Sequence, residues 1–397
     1  MTPVQSRSRG GLVLDGRKAL SNAVPIRTVA LPPELIFPLQ QHIGEPAEPV
    51  VAVGDRVGKG DVLARASGYV SVPVHASTSG TVTAIEPRPV PHPSGLPGPC
   101  VVLAPDGEDA WGERRVVEDY AALDASALRN RVREAGLVGL GGGGFPTFIK
   151  MNPGPGRQVD TLILNGAECE PYITCDERLM RERPEEILRG ACILRHAVGA
   201  TRCVVGIEDS KPEALAALRA AADGDVEVVA VPTTYPAGGE KQLTQAITGL
   251  EIPSDGLPMD VGVVMQNVGT AAAVYRALVE GEPLISRVVT VTGAGVAEPG
   301  NFEVRLGTPF AHLLAAAGGV TGAGPVIMGG PMMGFTVADT AVPVIKTTNC
   351  IVVEAAAPEP PGPVLPCIRC GACVDACPAH LLPQQLYWHA RAKDFDK

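Results

Sequence analysis

The chain has 397 residues, 45% of them hydrophobic and 4% aromatic, with 46 glycines, 38 prolines and a net charge of −10. That length supports about two to four domains with sizeable cores, and apolar periodicity along the chain excludes wholesale disorder. The acidic balance argues against a nucleic-acid binder, no apolar run approaches the ~18–20 residues that span a bilayer, and the N-terminus MTPVQSRSRGGLVLDGRK has no continuous apolar core, so it is not read as a secretory signal.

Residues 1–25 read as an extended arm. Residues 26–110 carry a β signal. Short Val-rich pieces occur in VVAVGDRVGKGDVLARA and GYVSVPVHASTSGTVTAIEP, and turns at Gly54-Asp55 and Gly58-Lys59-Gly60 suit hairpins. The pattern resembles the barrel-sandwich fold of lipoyl and biotinyl carriers. Those carriers present a modifiable lysine on a central hairpin. VSVPVHASTSG has none, so the unit is expected to be an unmodified scaffold, with His75 a packed or surface residue and not a ligand.

Over residues 120–284 the pattern becomes α/β. Asp124 or Ser126 can cap a helix running to Glu134, with Gly136 past its end. GLVGLGGGGFPTFIK (136–150) follows. Gly139, Gly141 and Gly144 satisfy G-x-G-x-x-G in form, but a dinucleotide fingerprint needs a strand before the loop and here a helix precedes it. Successive glycines still let backbone N–H groups close on a phosphate or a flat ring, and Lys150 adds a point charge for the phosphate. A flexible connector would mix Gly with Ser; this loop runs into Phe145-Pro146 and a lysine.

VDTLILNG (159–166) is an apolar run of strand length, and NGAECEPYITCDE (165–177) leaves it. Sites in α/β sheets lie beyond the carboxyl ends of strands. Asn165 can hydrogen-bond a heterocycle. Glu168 and Glu170 can accept from ribose hydroxyls or merely solvate a loop, and spacing leaves both readings open. Pro184 opens the helix PEEILRGACILRHAV, which Gly199 closes. Strand RCVVGIE, helix PEALAALRAAA, strand VEVVAVP and a helix from Asn267 to Glu280 complete the unit. This alternation predicts a mostly parallel sheet covered by helices.

Residues 285–345 give a strand, a turn at Glu298-Pro299-Gly300, a second strand and a helix entered through Thr308-Pro309, which suits a β-grasp unit. Residues 346–366, with EAAAPEPPGPVLP, read as a Pro-rich linker. In 367–397, Cys367, Cys370, Cys373 and Cys377 precede Pro378 with the C-x2-C-x2-C-x3-C-P spacing of bacterial ferredoxins. Soft thiolates at this spacing suit a [4Fe–4S] cluster. Zinc sites usually pair two short hooks, and a disulfide framework fits a long chain with four close cysteines badly. In two-cluster ferredoxins the fourth cysteine of a run serves the other cluster. Cys100, Cys169, Cys175, Cys192, Cys203 and Cys350 form no second hook. Cys350 is the nearest candidate to complete the site, and the number of clusters, one or two, stays open. Iron–sulfur ligation and unpaired thiols point to a reducing cytoplasm.

The blocks LQQHIGEPAEPVVAVGDRV, GLGGGGFPTFIK, LILNGAECEPYITCD, GGPMMG and CIRCGACVDACPAHLLPQQLYW together resemble the C subunit of the Rnf electron transport complex, over nearly the whole chain. The middle is similar to the flavin- and NADH-binding subunit of respiratory complex I, which shares a G-F-P-T loop and an N-x-x-E-x-E-P loop. The resemblance implies a multidomain α/β and β protein. Its parts are an N-terminal barrel-sandwich hybrid, a central α/β FMN/NADH-binding domain, a β-grasp (soluble-ligand-binding) domain and a C-terminal ferredoxin-like iron–sulfur segment.

It implies FMN, NAD(H) and [4Fe–4S] as cofactors, and electrons passing between them. By motif, Gly141, Gly142, Gly143, Gly144, Lys150 and Asn165 would hold FMN. Phe145 would stack near the nicotinamide, Glu170 would contact NADH, and Glu240, Asn267 and Tyr235 would line the flavin site. The implied partners are the other subunits of a membrane ion-translocating complex, with ferredoxin its other redox partner. The implied place is peripheral, on the cytoplasmic side of the bacterial inner membrane. Family members usually carry two cysteine runs, and this chain departs from that. Two rivals stand beside this reading. A soluble cobalamin-reductase-like flavoprotein has the glycine loop early and the barrel late, the reverse of the order here. A non-catalytic scaffold, similar to the A subunit of the sodium-pumping NADH:quinone reductase, predicts degenerate motifs, whereas both are intact in form here.

Overall fold

The computed structural model describes residues 10–154, 156–356 and 362–396. Of the expected arm, residues 1–9 lie outside that range, and residues 10–25 run as a strap over the central domain. Leu12 and Tyr235 exchange backbone hydrogen bonds of 2.9 and 2.8 Å, and Tyr172 N donates to Gly16 O. The Lys18 ammonium donates to the carbonyls of Glu168, Glu170 and Ile173 at 2.6, 3.0 and 2.6 Å, which uses all three of its hydrogens. At its other end Gly11 N donates to Ala376 O, so the strap also touches the cysteine segment.

β1 (Arg27–Thr28) pairs in parallel with Phe302 and Glu303 of the β-grasp unit. The barrel therefore starts later than residue 26, because this short piece of backbone finds its partner on another sheet's edge. β2 (Leu35–Pro38), β3 (Glu48–Pro49), β4 (Arg56–Val57), β5 (Val62–Arg65), β6 (Val74–His75), β7 (Gly80–Pro89) and β8 (Pro97–Pro105) form two antiparallel sheets, ordered β2-β8-β7-β4 and β3-β5-β6. Leu35, Phe37, Leu63, Val82, Val101 and Leu103 fill a core of their own between them. His75 is packed inside, and burial pushes its imidazole down to a pKa of about 3, so it stays neutral.

The α/β domain opens with α1 (Ala125–Glu134). The Asp124 carboxylate accepts from Ala127 N at its start, and Gly136, at φ 70°, turns the chain away after its end. Then come α2 (Thr147–Lys150), β9 (Thr161–Asn165), α3 (Cys175–Glu182), α4 (Pro184–Val198), β10 (Arg202–Glu208), α5 (Pro212–Ala221), β11 (Glu227–Val231), α6 (Glu240–Thr248), β12 (Val263–Asn267) and α7 (Val268–Val279). The four strands are parallel in the order β11-β10-β9-β12. Leu162, Leu164 and Val205 join the core that α4 and α7 cover, while Ile163, Val204 and Met265 meet Leu243 and Ile247 of α6 on the opposite face. The chain steps outward from β9 to β11 and then returns to the other side of β9 as β12. The carboxyl ends of β9 and β12 thus flank a topological switch point, where open α/β sheets place ligands.

β13 (Ser286–Thr292), β14 (Gly300–Arg305), α8 (Phe310–Ala316), β15 (Val326–Met328), β16 (Phe335–Val337) and β17 (Cys350–Val353) build the β-grasp unit, with sheet order β1-β14-β13-β17-β15-β16. β17 corrects the expected linker at 346–366. All four of its residues are buried, parallel to β13 and antiparallel to β15, so the domain runs on to Val353. Residues 357–361 of that linker lie outside the described range. Cys350, wholly buried against Ile173, Cys175 and Val352, is also removed as a partner for the exposed cysteine hook. Just before β17, the buried Lys346 ammonium donates to Pro73 O of the barrel and Gly136 O after α1, at 2.6 and 2.7 Å. It fastens three units at one point.

The described C-terminal residues hold α9 (Ala372–Ala376) and α10 (Pro383–Ala392) and, among residues 362–396, no strand. No helix among the described residues is long and apolar enough to cross a membrane.

Candidate functional site

The glycine loop is closed at its neck and bare at its tip. Gly139 N donates to Phe145 O and Gly144 N to Gly139 O, at 2.8 and 3.3 Å. Leu140 N donates to Thr270 Oγ1 at the start of α7, and Arg287 of β13 donates to Leu140 O. Between these ties Gly141, Gly142 and Gly143 stand exposed. A Cβ on Gly143 would meet nothing within 4 Å. One on Gly141 would lie 3.4 Å from Asn267 Nδ2, and one on Gly142 3.5 Å from Asn349 Nδ2. Gly144 differs. It is buried at φ 61°, and its Cβ would fall 2.4 Å from Thr347 Cγ2, so it admits the β-grasp unit and does not face a ligand. Phe145 belongs to the neck and is not among the residues walling the adjoining cavity.

Asn165 and Asn267 end adjacent strands in register. Asn165 donates to Gly238 O at 2.8 Å and accepts from Ala167 N. Asn267 donates to Asp176 Oδ2 at 2.6 Å and caps α7 by accepting from Thr270 N. Each amide keeps one donor hydrogen and one lone pair. The Lys150 ammonium is bonded to the Glu240 carboxylate at the start of α6, and both side chains are partly open to solvent. Tyr235 is held by its backbone to Leu12 and lies near enough to Glu170 for that charge to add to the effect of burial in raising its phenol pKa.

The two glutamates part company. The Glu168 side chain is 3% exposed, and its carboxylate accepts from the N–H groups of Asp176 and Glu177 at the start of α3. Burial pushes its pKa up to about 8, against the opposing Lys18 ammonium 4.0 Å away. The ribose-contact reading of Glu168 is therefore corrected: the carboxylate is spent on capping a helix. Polar atoms of Glu168, Cys175 and Asp176 lie within 4.8 Å of one another, but two of the three are already committed to these bonds. Glu170 points the other way. Its Oε1 accepts from Met332 N and Met333 N at 2.9 and 2.8 Å. It lines a cavity of about 430 Å³ together with Gly141, Gly142 and Gly143. The barrel (Gln40–Ile43) and the β-grasp unit (Met328–Gly330, Thr347 and Asn349) supply the other walls. Those walls lie far from the loop in sequence. Their traces in the sequence are the blocks LQQHI and G-G-P-M-M-G, and in the second a Cβ on Gly330 would come 2.5 Å from the Glu170 carboxyl carbon.

Residues 132–276 match the Nuo51 FMN-binding domain, residues 6–108 the RnfC barrel sandwich hybrid domain, and residues 288–336 the SLBB domain. The C subunit of the ion-translocating oxidoreductase complex is 51% identical to this chain in Erwinia tasmaniensis, 51% in Serratia proteamaculans and 50% in Pseudomonas aeruginosa, each over 98% of this chain. The chain belongs to that C-subunit family. It spans about half the length of these relatives: 48%, 56% and 50% respectively. Among solved structures, an NAD+-reducing [NiFe]-hydrogenase in the H2-reduced state aligns with a TM-score of 0.49 at 24% identity, over 59% of this chain and 47% of that one. That likeness is too slight to carry an argument.

In this member of the C-subunit family the cysteines of the C-terminal hook are all free. Cys367, Cys370 and Cys373 are exposed and Cys377 is half-buried. Four unpaired thiols in one turn-and-helix segment are the donor set an iron–sulfur cluster takes. The bare glycine tip, with no side chain to displace, likewise fits an FMN phosphate or ring edge.

Proposed function

We propose that the chain is the NADH-linked electron-transfer subunit of a membrane-associated ion-translocating complex. FMN sits at the glycine loop, a nicotinamide dinucleotide occupies the adjoining cavity, and the C-terminal cysteines hold an iron–sulfur cluster in a ferredoxin-like segment. The observation that carries the reading is the bare tip of Gly141, Gly142 and Gly143, which opens onto both the β9/β12 switch point and the cavity holding Glu170. Bound FMN supplies the exchange between an electron pair and single electrons.

The chain's residues do the rest. The tip offers backbone N–H groups to the phosphate, and Lys150 exchanges Glu240 for it. Asn165 and Asn267 use their spare donors and lone pairs on the ring edge, with Tyr235 and Glu240 beside it. Glu170 would take a hydrogen bond from NADH, while Phe145 closes the neck of the loop and does not reach the dinucleotide cavity. No acid–base dyad is needed for such transfer. The other subunits of the complex are its partners, ferredoxin is the redox partner at the complex's far end, and the protein lies peripherally on the cytoplasmic face of the inner membrane. A flavin absorption spectrum of the purified chain tests this. Yellow protein bleached by NADH supports the proposal, whereas colourless protein that cannot be reconstituted with FMN favours the scaffold reading. Lys150→Ala should weaken FMN retention several-fold, and unchanged occupancy on dialysis would remove the phosphate role.

A further inference from the structure

Most polar side chains around the 430 Å³ cavity are already spent. Gln41 bonds Pro38 O and Lys346 N. His42 uses Nδ1 on Ile43 O and Nε2 on Val72 N. Gln40 bonds Gly44 O, and His92 bonds Ser94. Glu170 has one oxygen on two backbone N–H groups. Two side chains differ: the Asn349 amide and the Thr347 hydroxyl have no hydrogen-bond partner among the described residues, yet both line the cavity. They are also held firmly. Ile345 and Thr348 close a turn with two bonds of 3.0 Å, Lys346 N is tied to Gln41, and Asn349 O accepts from Thr290 N at 3.0 Å. The Asn349 Nδ2 atom faces the glycine tip, 3.5 Å from where a Gly142 Cβ would be.

An asparagine amide presents a donor and an acceptor side by side, the complement of another primary carboxamide. Half-buried polar groups without partners cost free energy that a matching ligand group recovers. Building on the proposed function, we infer that Asn349 reads the carboxamide of the nicotinamide ring, with the Thr347 hydroxyl beside it. The ring is thereby oriented by the β-grasp unit and not by the flavin domain alone. Adenine can also pair with an asparagine, and the hypoxanthine analogue below separates the two.

The test is equilibrium binding to the full chain loaded with FMN, by calorimetry. The ligands are NAD+, the 3-acetylpyridine analogue, which lacks the carboxamide nitrogen, and the hypoxanthine analogue, which alters the adenine. Wild type should bind NAD+ about tenfold more tightly than the acetylpyridine analogue, and Asn349→Ala should erase that gap by weakening NAD+ more than the analogue. Asn349→Asp, equal in size, keeps the acceptor that the analogue cannot use and loses the donor that meets the carbonyl of both, so it should weaken both ligands and leave the gap in place; FMN retention reports that both variants are folded. Equal weakening of all three ligands by Asn349→Ala, which a merely structural role would give, overturns the inference. So does a gap that survives in Asn349→Ala, or one that moves to the hypoxanthine analogue. Wild-type protein that holds FMN but binds no NAD+ overturns the dinucleotide reading itself, and this inference with it.

Discussion

Gly330 and Gly144 show how a missing side chain can serve either binding or packing. At Gly330 an added methyl would meet the Glu170 carboxyl group, so Gly330→Ala should drive Glu170 off the Met332 and Met333 N–H groups. NADH affinity should fall at least tenfold while FMN is kept, since two charge-assisted bonds are lost. Wild-type affinity in a titration would remove Glu170 from the site. At Gly144 the added methyl strikes Thr347 from a left-handed backbone, so Gly144→Ala should cost about 2 kcal/mol of stability, read as a lowered urea midpoint. Gly143→Ala, with open space around it, should lie within about 0.5–1 kcal/mol of wild type. The sequence showed that glycines cluster here but could not sort them, because sorting depends on Thr347 and Asn349, some two hundred residues downstream.

Among elements, the alternation of strand and helix from 159 to 231 was legible because the strands are short runs apolar on both faces and the helices have an apolar face and a clear stop, as Gly199 provides for α4. α3 was not. Its sequence CDERLMRE is strongly polar, yet the side chains of Asp176, Glu177 and Arg178 are buried and satisfied by Asn267, Asn22 and Glu182. β17 was also hidden, since four residues before an Ala/Pro run carry no period of their own. The strap hides its anchor in Lys18. Lys18→Ala leaves three carbonyls of the 168–173 loop without their donor and should cost about 1–3 kcal/mol, with faster hydrogen exchange across that loop. Unchanged exchange there would mean that the strap rests on the loop without bracing it.

Lys346 gives the junction a pH signature. Burial pushes its pKa down to about 7, whereas the unfolded chain holds that proton to about 10.5. The unfolded state therefore binds more protons across that window, so stability rises as pH climbs through it and is lost again as pH falls back toward 7. Lys346→Met lacks this rise. The wild type should gain on the variant between pH 7 and pH 9 in denaturant midpoints, and parallel curves would show that the ammonium is not desolvated.

For the whole molecule, three units and their order were readable from composition and turn chemistry, but the seams between them were not. β1 crosses from the N-terminal region into the β-grasp sheet, and the strap crosses from the cysteine segment to Tyr235. Such long-range pairings leave no local pattern. The cysteine hook is legible from spacing alone, and Cys370→Ser should abolish bound iron; iron equal to wild type would overturn that assignment.

The barrel keeps a core of its own, while the α/β and β-grasp units share one. Yet residues 40–43 of the barrel form one side of the 430 Å³ cavity beside the glycine tip. Any occupant that touches both sides therefore acts as a clamp across that seam. Its affinity becomes docking energy, so saturating NAD+ should raise the temperature at which the barrel detaches by more than it raises the melting of the barrel itself.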